Sequence, residues 1–246
     1  VSSACTSSAT ALAMGAAAIR DRDVDCVLVV ACDAVTEFVF TGFSSLMALD
    51  PDGAHPFDAD RKGLALGEGA AFVLLMSEDR ARREGRPVRG ELLGWGLSND
   101  ANHMTGPSRD GEGLARAVRL ALKSSGLDES APGFICAHGT GTPYNDNMEM
   151  LAFRSVFASP RPTFSVKGGL GHTLGAAGLI EAVLTWEYLR LQQVPATVGL
   201  RNPDPLAVGW VASSPMPTPC SLALSTNSGF GGVNSALVLG TAETPS

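Results

Sequence analysis

Apolar positions fall in compact blocks along this chain, and the spacing inside each block points to an element. Residues 4–20 are nearly all Ala, Gly, Ser and Thr, joined by Leu12, Met14 and Ile19. That pattern predicts a helix slim on every face, against which neighbours pack closely. Ser2 or Ser3 would cap it and Asp21-Arg22-Asp23 would end it. Residues 26–31 are an unbroken apolar, β-branched run, which predicts a fully buried strand, and residues 70–76 read the same way. A Gly-, Pro- and Asp-rich loop, 49–69, lies between them. Residues 80–85 close a charged helix, 88–97 form a strand with one alternating face, and 113–126 place Leu114, Val118 and Leu122 at four-residue spacing on an amphipathic helix. Short strands follow at 134–137, 163–166, 222–224 and 236–239. Helices stand between them near 146–157 and over 172–190, the second carrying Ile180, Val183, Leu184 and Trp186. Strands alternating with helices predict an α/β layered fold with mostly buried sheets.

Composition narrows the class. The 246 residues are 45% apolar and 17% charged, which suffices for a buried core and opposes disorder. With 18 Lys and Arg against 25 Asp and Glu, and no basic cluster, nucleic acid is an improper partner. No apolar stretch reaches membrane-spanning length uninterrupted, and no basic segment precedes an apolar one as in an export signal. Five scattered cysteines, without a Cys-x-x-Cys pair, fit reduced cytoplasmic thiols better than disulfides or a zinc site. The chain opens Val1-Ser2-Ser3-Ala4-Cys5, without an initiator Met, so Val1 reads as a cut through a strand.

Four segments look chemical, and each ends a strand or begins a helix. Cys5, in Ser3-Ala-Cys-Thr-Ser-Ser8, stands at a helix start, where the backbone dipoles favour a thiolate and lower the thiol pKa. Such a cysteine, taken alone, is more often a small buried residue than a nucleophile. His138 follows an apolar strand and leads Gly139-Thr140-Gly141-Thr142-Pro143, a stretch that lets backbone and hydroxyls approach a ligand. Lys167, one of three lysines, precedes His172 by five positions in a glycine-rich run that continues to Glu181. A histidine at a helix start stays neutral and donates one ring N–H. Residues 227–234 form a glycine-rich turn whose one bulky residue is Phe230; it is either a simple hairpin or a source of an oriented amide and a movable lid.

Cysteine plus histidine fits hydrolases and acyltransferases alike. Neither histidine has an acidic neighbour in sequence, as a base that activates a thiol normally does. Two neutral N–H donors aimed at one oxygen suit a developing enolate or oxyanion instead.

The motifs Ala-Cys-Thr-Ser-Ser, His-Gly-Thr-Gly-Thr-Pro, Lys-x-x-x-Gly-His-Thr-x-Gly-Ala-Ala-Gly and Gly-Phe-Gly-Gly-x-Asn, in that order, resemble the β-ketoacyl-acyl-carrier-protein synthases. His55-Pro-Phe-Asp-Ala-Asp-Arg-Lys-Gly63 and Ser98-Asn-Asp-Ala-Asn-His-Met-Thr-Gly-Pro107 agree, so the resemblance runs along essentially the whole chain and is closest to the stand-alone elongating enzymes. It implies a thiolase-like layered fold of two similar α/β halves. Residues 1–87 would be the remainder of an incomplete first half and 88–246 the second. It implies acyl transfer to Cys5, then decarboxylation of malonyl-carrier protein and condensation. His138 and His172 would hold the malonyl thioester oxygen. The amides of Cys5 and Phe230 would form the oxyanion hole, with Phe230 also gating the acyl pocket. Thr140 and Thr142 would touch the phosphopantetheine arm, and Lys167 with Glu181 would order the site. No cofactor is bound on this reading, because the phosphopantetheine belongs to the acyl carrier protein. The other expected partner is a second subunit, as a homodimer or a ketosynthase heterodimer.

Four positions depart from the family pattern. Ser228 replaces a phenylalanine and His55 an arginine, Met47 stands where many relatives carry a basic residue, and the loop at 49–57 looks short. Cys5 opposes a non-catalytic partner subunit. Phe230 opposes a thiolase, which needs a second cysteine in that turn; Cys220 lies upstream and is expected to be buried. A histidine at both 138 and 172 opposes the initiating class. A non-enzymatic fragment is the rival of a different kind, and the resemblance further implies exposed sheet edges and aggregation of this chain alone.

Overall fold

The structure is a computed structural model and describes residues 1–242. Residues 243–246, the end of the expected second half, lie outside the described residues.

The centre is a five-stranded mixed sheet built from β3 (Glu91–Asn99), β4 (Phe134–Cys136), β5 (Thr163–Phe164), β8 (Leu222–Gly229) and β9 (Val233–Gly240), in the order β3-β9-β8-β4-β5. β9 runs antiparallel to both β3 and β8, and β4 pairs in parallel with both β8 and β5. Side chains alternate across this sheet, so its central strands β4, β8 and β9 feed two cores. Ile135, Leu224, Ala236 and Val238 join one apolar cluster with Leu114, Val118, Met148 and Phe153. Those last four come from α4 (Glu112–Ser125) and α5 (Pro143–Val156), which cover that face. Phe134, Cys136, Ala223, Leu237 and Leu239 join the other cluster, with Ala9 and Leu12 of α1 (Ser7–Arg20) and Leu179, Ala182 and Leu189 of α7 (Ala177–Leu191).

A second, two-stranded antiparallel sheet lies beyond α1 and α7. It pairs β1 (Cys26–Asp33) with β2 (Gly69–Met76), and Val27, Val29, Val73 and Leu75 pack toward the helices. Here the structure corrects the expectation of two fully buried strands. Leu28 is 60% exposed, Val30 62%, Phe72 74% and Leu74 52%, because the described residues place nothing over the outer face.

The remaining elements are α2 (Glu37–Ser45), α3 (Glu78–Glu84), the one-turn α6 (Lys167–Leu170), a 3₁₀ turn (Leu174–Ala176) and the two-residue pair β6 (Gln193–Val194) and β7 (Met216–Pro217). The chain from Asp33 to Ala48 had no assignment from sequence; Thr36 caps α2 there by accepting from the Val39 N–H. The α1 cap also differs from expectation. Thr6, not Ser2 or Ser3, holds the N-cap position, and Ser3 instead binds the Thr6 hydroxyl through its carbonyl. The helix expected from residue 172 begins as a 3₁₀ turn and turns α-helical only at Ala177. Among the described residues no helix is long and apolar enough to cross a membrane.

Candidate active site

All four chemical segments meet at one end of the central sheet. Ala4 holds a left-handed backbone, φ 50°, and this tight turn delivers Cys5 just ahead of α1. The end of β8 closes on that turn so tightly that a Cβ added at Gly229 would lie 3.1 Å from the Cys5 nitrogen. β4 carries His138 to the site two residues past its end, and His172 lies in an isolated bridge with Leu66. Phe230 stands in the turn joining β8 to β9, beside Phe43 of α2 with ring centroids 5.6 Å apart. That turn is at once a hairpin and a wall of the site.

Cys5, His138, His172, Lys167 and Glu181 are all buried. His172 Nε2 is 3.1 Å from Cys5 Sγ. The two imidazoles are edge to face, centroids 5.1 Å apart and planes at 86°. Their far nitrogens are already engaged. The Leu174 backbone N–H donates to His172 Nδ1 at 3.3 Å, and the Lys167 ammonium donates to His138 Nδ1 at 3.2 Å. A nitrogen that accepts carries no hydrogen, so each ring carries its hydrogen on Nε2. Both rings are therefore N–H donors, and His172 donates to the Cys5 sulfur.

A nitrogen of each ring and the Cys5 sulfur lie within 4.8 Å of one another, a spacing that also suits a soft metal ion. The outer partners oppose that use. A ligating Nε2 would need the hydrogen on Nδ1, pointed at an ammonium and a backbone N–H, whereas ligating histidines donate outward to an acceptor.

Burial and the nearby Lys167 charge hold both histidines well below the usual imidazole range. The neutral state expected for His172 is present, with burial rather than a helix start as its main cause. The expectation for Cys5 is corrected. Burial pushes its thiol up to about 11, outweighing the Lys167 charge and the backbone N–H groups of Phe230 and Cys5 that favour the thiolate.

Lys167 anchors this group. Its ammonium pairs with the Glu181 carboxylate and also donates to the His138 carbonyl at 2.5 Å. Burial raises the Glu181 carboxyl while Lys167 and Asn227 oppose the rise. Thr140 and Thr142 share a hydroxyl hydrogen bond of 2.9 Å at the site's edge, where Thr142 precedes Pro143, the first residue of α5.

Sequence reasoning missed two carboxylates on α5. Glu149 accepts from the backbone N–H of His138 at 2.7 Å and of Gly139 at 2.6 Å, and Asp146 accepts from Phe57 at 2.8 Å and Gly141 at 3.2 Å. Together they hold the His138 loop in shape. Burial and the Asp146 charge push the Glu149 carboxyl up to about 8. The available signal was a polar trio, Asn145, Asp146 and Glu149, on the inner side of a helix next to the histidine loop. Of the other positions noted from sequence, His55 bonds the Gly199 carbonyl at 3.0 Å, Met47 is exposed, Ser228 bonds Asn234 at 2.7 Å and Cys220 is half-buried.

Comparison with known proteins agrees with this arrangement. Residues 1–81 match the family model of the β-ketoacyl synthase N-terminal domain, and residues 89–201 match that of the β-ketoacyl synthase C-terminal domain. The chain belongs to the β-ketoacyl synthase family. It is 38% identical to 3-oxoacyl-(acyl-carrier-protein) synthase 2 of Synechocystis sp., over 83% of this chain and 51% of that protein. The solved ishigamide ketosynthase/chain length factor is 36% identical with a TM-score of 0.94, over 99% of this chain and 60% of that one. A type II polyketide ketosynthase solved with its acyl carrier protein and bound to a hexaketide is 30% identical, also with a TM-score of 0.94, over 99% of this chain and 62% of that one. The layered α/β fold is thus that of the ketosynthases, and the chain spans between half and two thirds of the length of these relatives.

Proposed function

We propose that the chain carries the condensing site of a β-ketoacyl-acyl-carrier-protein synthase. The observation that carries this reading is the pair of neutral imidazoles, both with hydrogen on Nε2, set beside a buried cysteine.

Cys5 attacks the thioester of an acyl-carrier protein, forming an acyl–sulfur bond and releasing the carrier thiol, which takes a proton. The Cys5 and Phe230 amides hold the oxyanion of that step. Malonyl-carrier protein then binds with its thioester oxygen between His138 and His172. Its carboxylate leaves as carbon dioxide, and the electron pair of that bond becomes an enolate stabilised by two N–H donors. The enolate carbon attacks the acyl-Cys5 carbonyl, the carbon–sulfur bond breaks, and β-ketoacyl-carrier protein leaves while Cys5 recovers a proton.

Lys167 and Glu181 order His138, Phe230 gates the acyl pocket, and Thr140 with Thr142 contacts the phosphopantetheine arm of the carrier protein. The chain itself holds no cofactor for this reaction. Residues 1–87 and 88–246 act as the two halves of the fold, and the chain works in the cytoplasm beside a second subunit, either its own copy or a ketosynthase partner. The relatives support these assignments by name: one acts on acyl-carrier-protein substrates, and others are solved with a chain length factor or a carrier protein.

The test offers the chain an acyl-carrier protein, then malonyl-carrier protein, and follows Cys5 acylation, carbon dioxide and β-keto product. Cys5→Ala is expected to form no product. His138→Ala is expected to lose about 10²- to 10³-fold in carbon dioxide release, the usual effect of removing one oxyanion donor. Product from Cys5→Ala overturns the reading.

A further inference from the structure

Asn227 has no part in the reaction as written, yet it sits at the middle of the site. It lies on β8 with no exposed surface. Its Nδ2 donates to Glu181 Oε2 at 2.6 Å and lies 3.3 Å from His138 Nδ1. A reversed amide would set its oxygen against the Glu181 carboxylate and against a ring nitrogen already accepting from Lys167. The nitrogen therefore faces the site.

The oxygen of the same amide is buried without a hydrogen-bond partner among the described residues, lying against Gly178 of α7. The amide thus keeps one buried oxygen unpaired while its nitrogen serves Glu181 Oε2 and faces His138 Nδ1, a cost that its nitrogen contacts have to offset. Lys167 shares this work with other contacts. Its ammonium is divided between Glu181, the His138 carbonyl and His138 Nδ1. The Asn227 amide is planar and tied to Glu181, so its second N–H has one fixed direction.

We propose that Asn227 is a positioning residue for His138: its amide N–H helps fix Nδ1 as an acceptor and so keeps the imidazole hydrogen on Nε2, where it faces the reacting oxygen. The effect is specific to one half of the reaction. Decarboxylation needs His138 as a donor, whereas acylation of Cys5 uses backbone amides.

The kinetic part of the test rests on the condensing function proposed above, and the spectroscopic part does not. The ring nitrogens of the four histidines, His55, His103, His138 and His172, are followed by ¹⁵N NMR in the wild type, Asn227→Leu and Asn227→Asp. The wild type is expected to show His138 with hydrogen on Nε2, Asn227→Leu a mixture of tautomers, and Asn227→Asp the hydrogen drawn to Nδ1 by the new carboxylate. Carbon dioxide release should fall about 10- to 100-fold in both variants, by analogy with the loss when groups that orient a metal-bound histidine are removed. Cys5 acylation should stay near the wild-type rate. Hydrogen on Nδ1 in the wild type overturns the proposal without need of any variant. An unchanged tautomer in both variants, or equal loss in both half-reactions, overturns it as well. If no protein releases carbon dioxide, the condensing function fails, and the nitrogen shifts still decide the role of Asn227.

Discussion

Cys5 has the Lys167 charge and two backbone N–H groups favouring its thiolate, and burial still holds the thiol at about 11. The sulfur is therefore a thiol in the resting site, and His172 donates to it rather than taking its proton. The sign is that of an acid whose charged form is penalised, so the reactive fraction grows with pH through the whole neutral range. Alkylation of Cys5 by iodoacetamide is expected to quicken roughly tenfold per pH unit from about pH 7 to about pH 9, read by peptide mass spectrometry. A rate that levels off near neutrality contradicts the burial argument. Cys5, His138, Lys167, His172 and Glu181 were legible in the sequence because each sits in a glycine-rich or small-residue segment suited to a site. Glu149, Asp146 and Asn227 were not. Apart from Asn145 beside them on α5, their partners are backbone N–H groups or side chains between 5 and 89 residues away, and residue type alone does not reveal such pairings.

Among the elements, those with a strong one-sided pattern were the easiest to read. α4 shows its apolar face at regular spacing, and Gly126 ends it in the left-handed conformation a C-terminal cap requires. α2 carries Phe38, Val39 and Phe40 in sequence with Gly42 and buries none of its residues, so no apolar stripe marks it as a helix. β6 and β7 are two residues each, too short for any periodicity. The slim α1 shows what small residues are for. Gly178 of α7 approaches α1 so closely that an added Cβ would stand 2.7 Å from the Ala9 Cβ and 2.8 Å from the Ala9 nitrogen. On an exposed helix, Gly→Ala stabilises by about 1 kcal/mol through propensity. Here backbone lies on the other side of the contact, and overpacking at such a place costs about 1–3 kcal/mol. Gly178→Ala is therefore expected to lower stability in urea unfolding, and to disturb Asn227, whose oxygen lies 2.9 Å from the same Cβ position. A gain in stability would show that the two helices part without cost.

For the molecule as a whole, the layers run from α4 and α5 through the central sheet to α1 and α7, and then to β1 and β2, where they stop. The inner layers were legible because β4 and most of β9 are apolar on both faces, with helices to meet on each side. The outer sheet was misread for the same reason. Its strands have the composition of covered strands, and only one face is covered by the described residues. Register sets Leu28 opposite Leu74 and Val30 opposite Phe72, so four exposed apolar side chains form one continuous patch on a sheet two strands wide. Patches of this kind on a soluble chain drive association, and an open pair of strand edges adds unpaired backbone groups to the same surface. The 246-residue chain is accordingly expected to associate as its concentration rises, measured by light scattering or sedimentation. Val30→Lys combined with Phe72→Glu places opposite charges on directly paired residues of the exposed face, where neither packs against α1 or α7. That variant should remain monomeric at concentrations where the wild type associates, with its unfolding midpoint nearly unchanged because no buried contact is lost. Equal association of the two proteins would place the attraction elsewhere on the surface, and a large drop in midpoint would show that this face is packed in solution.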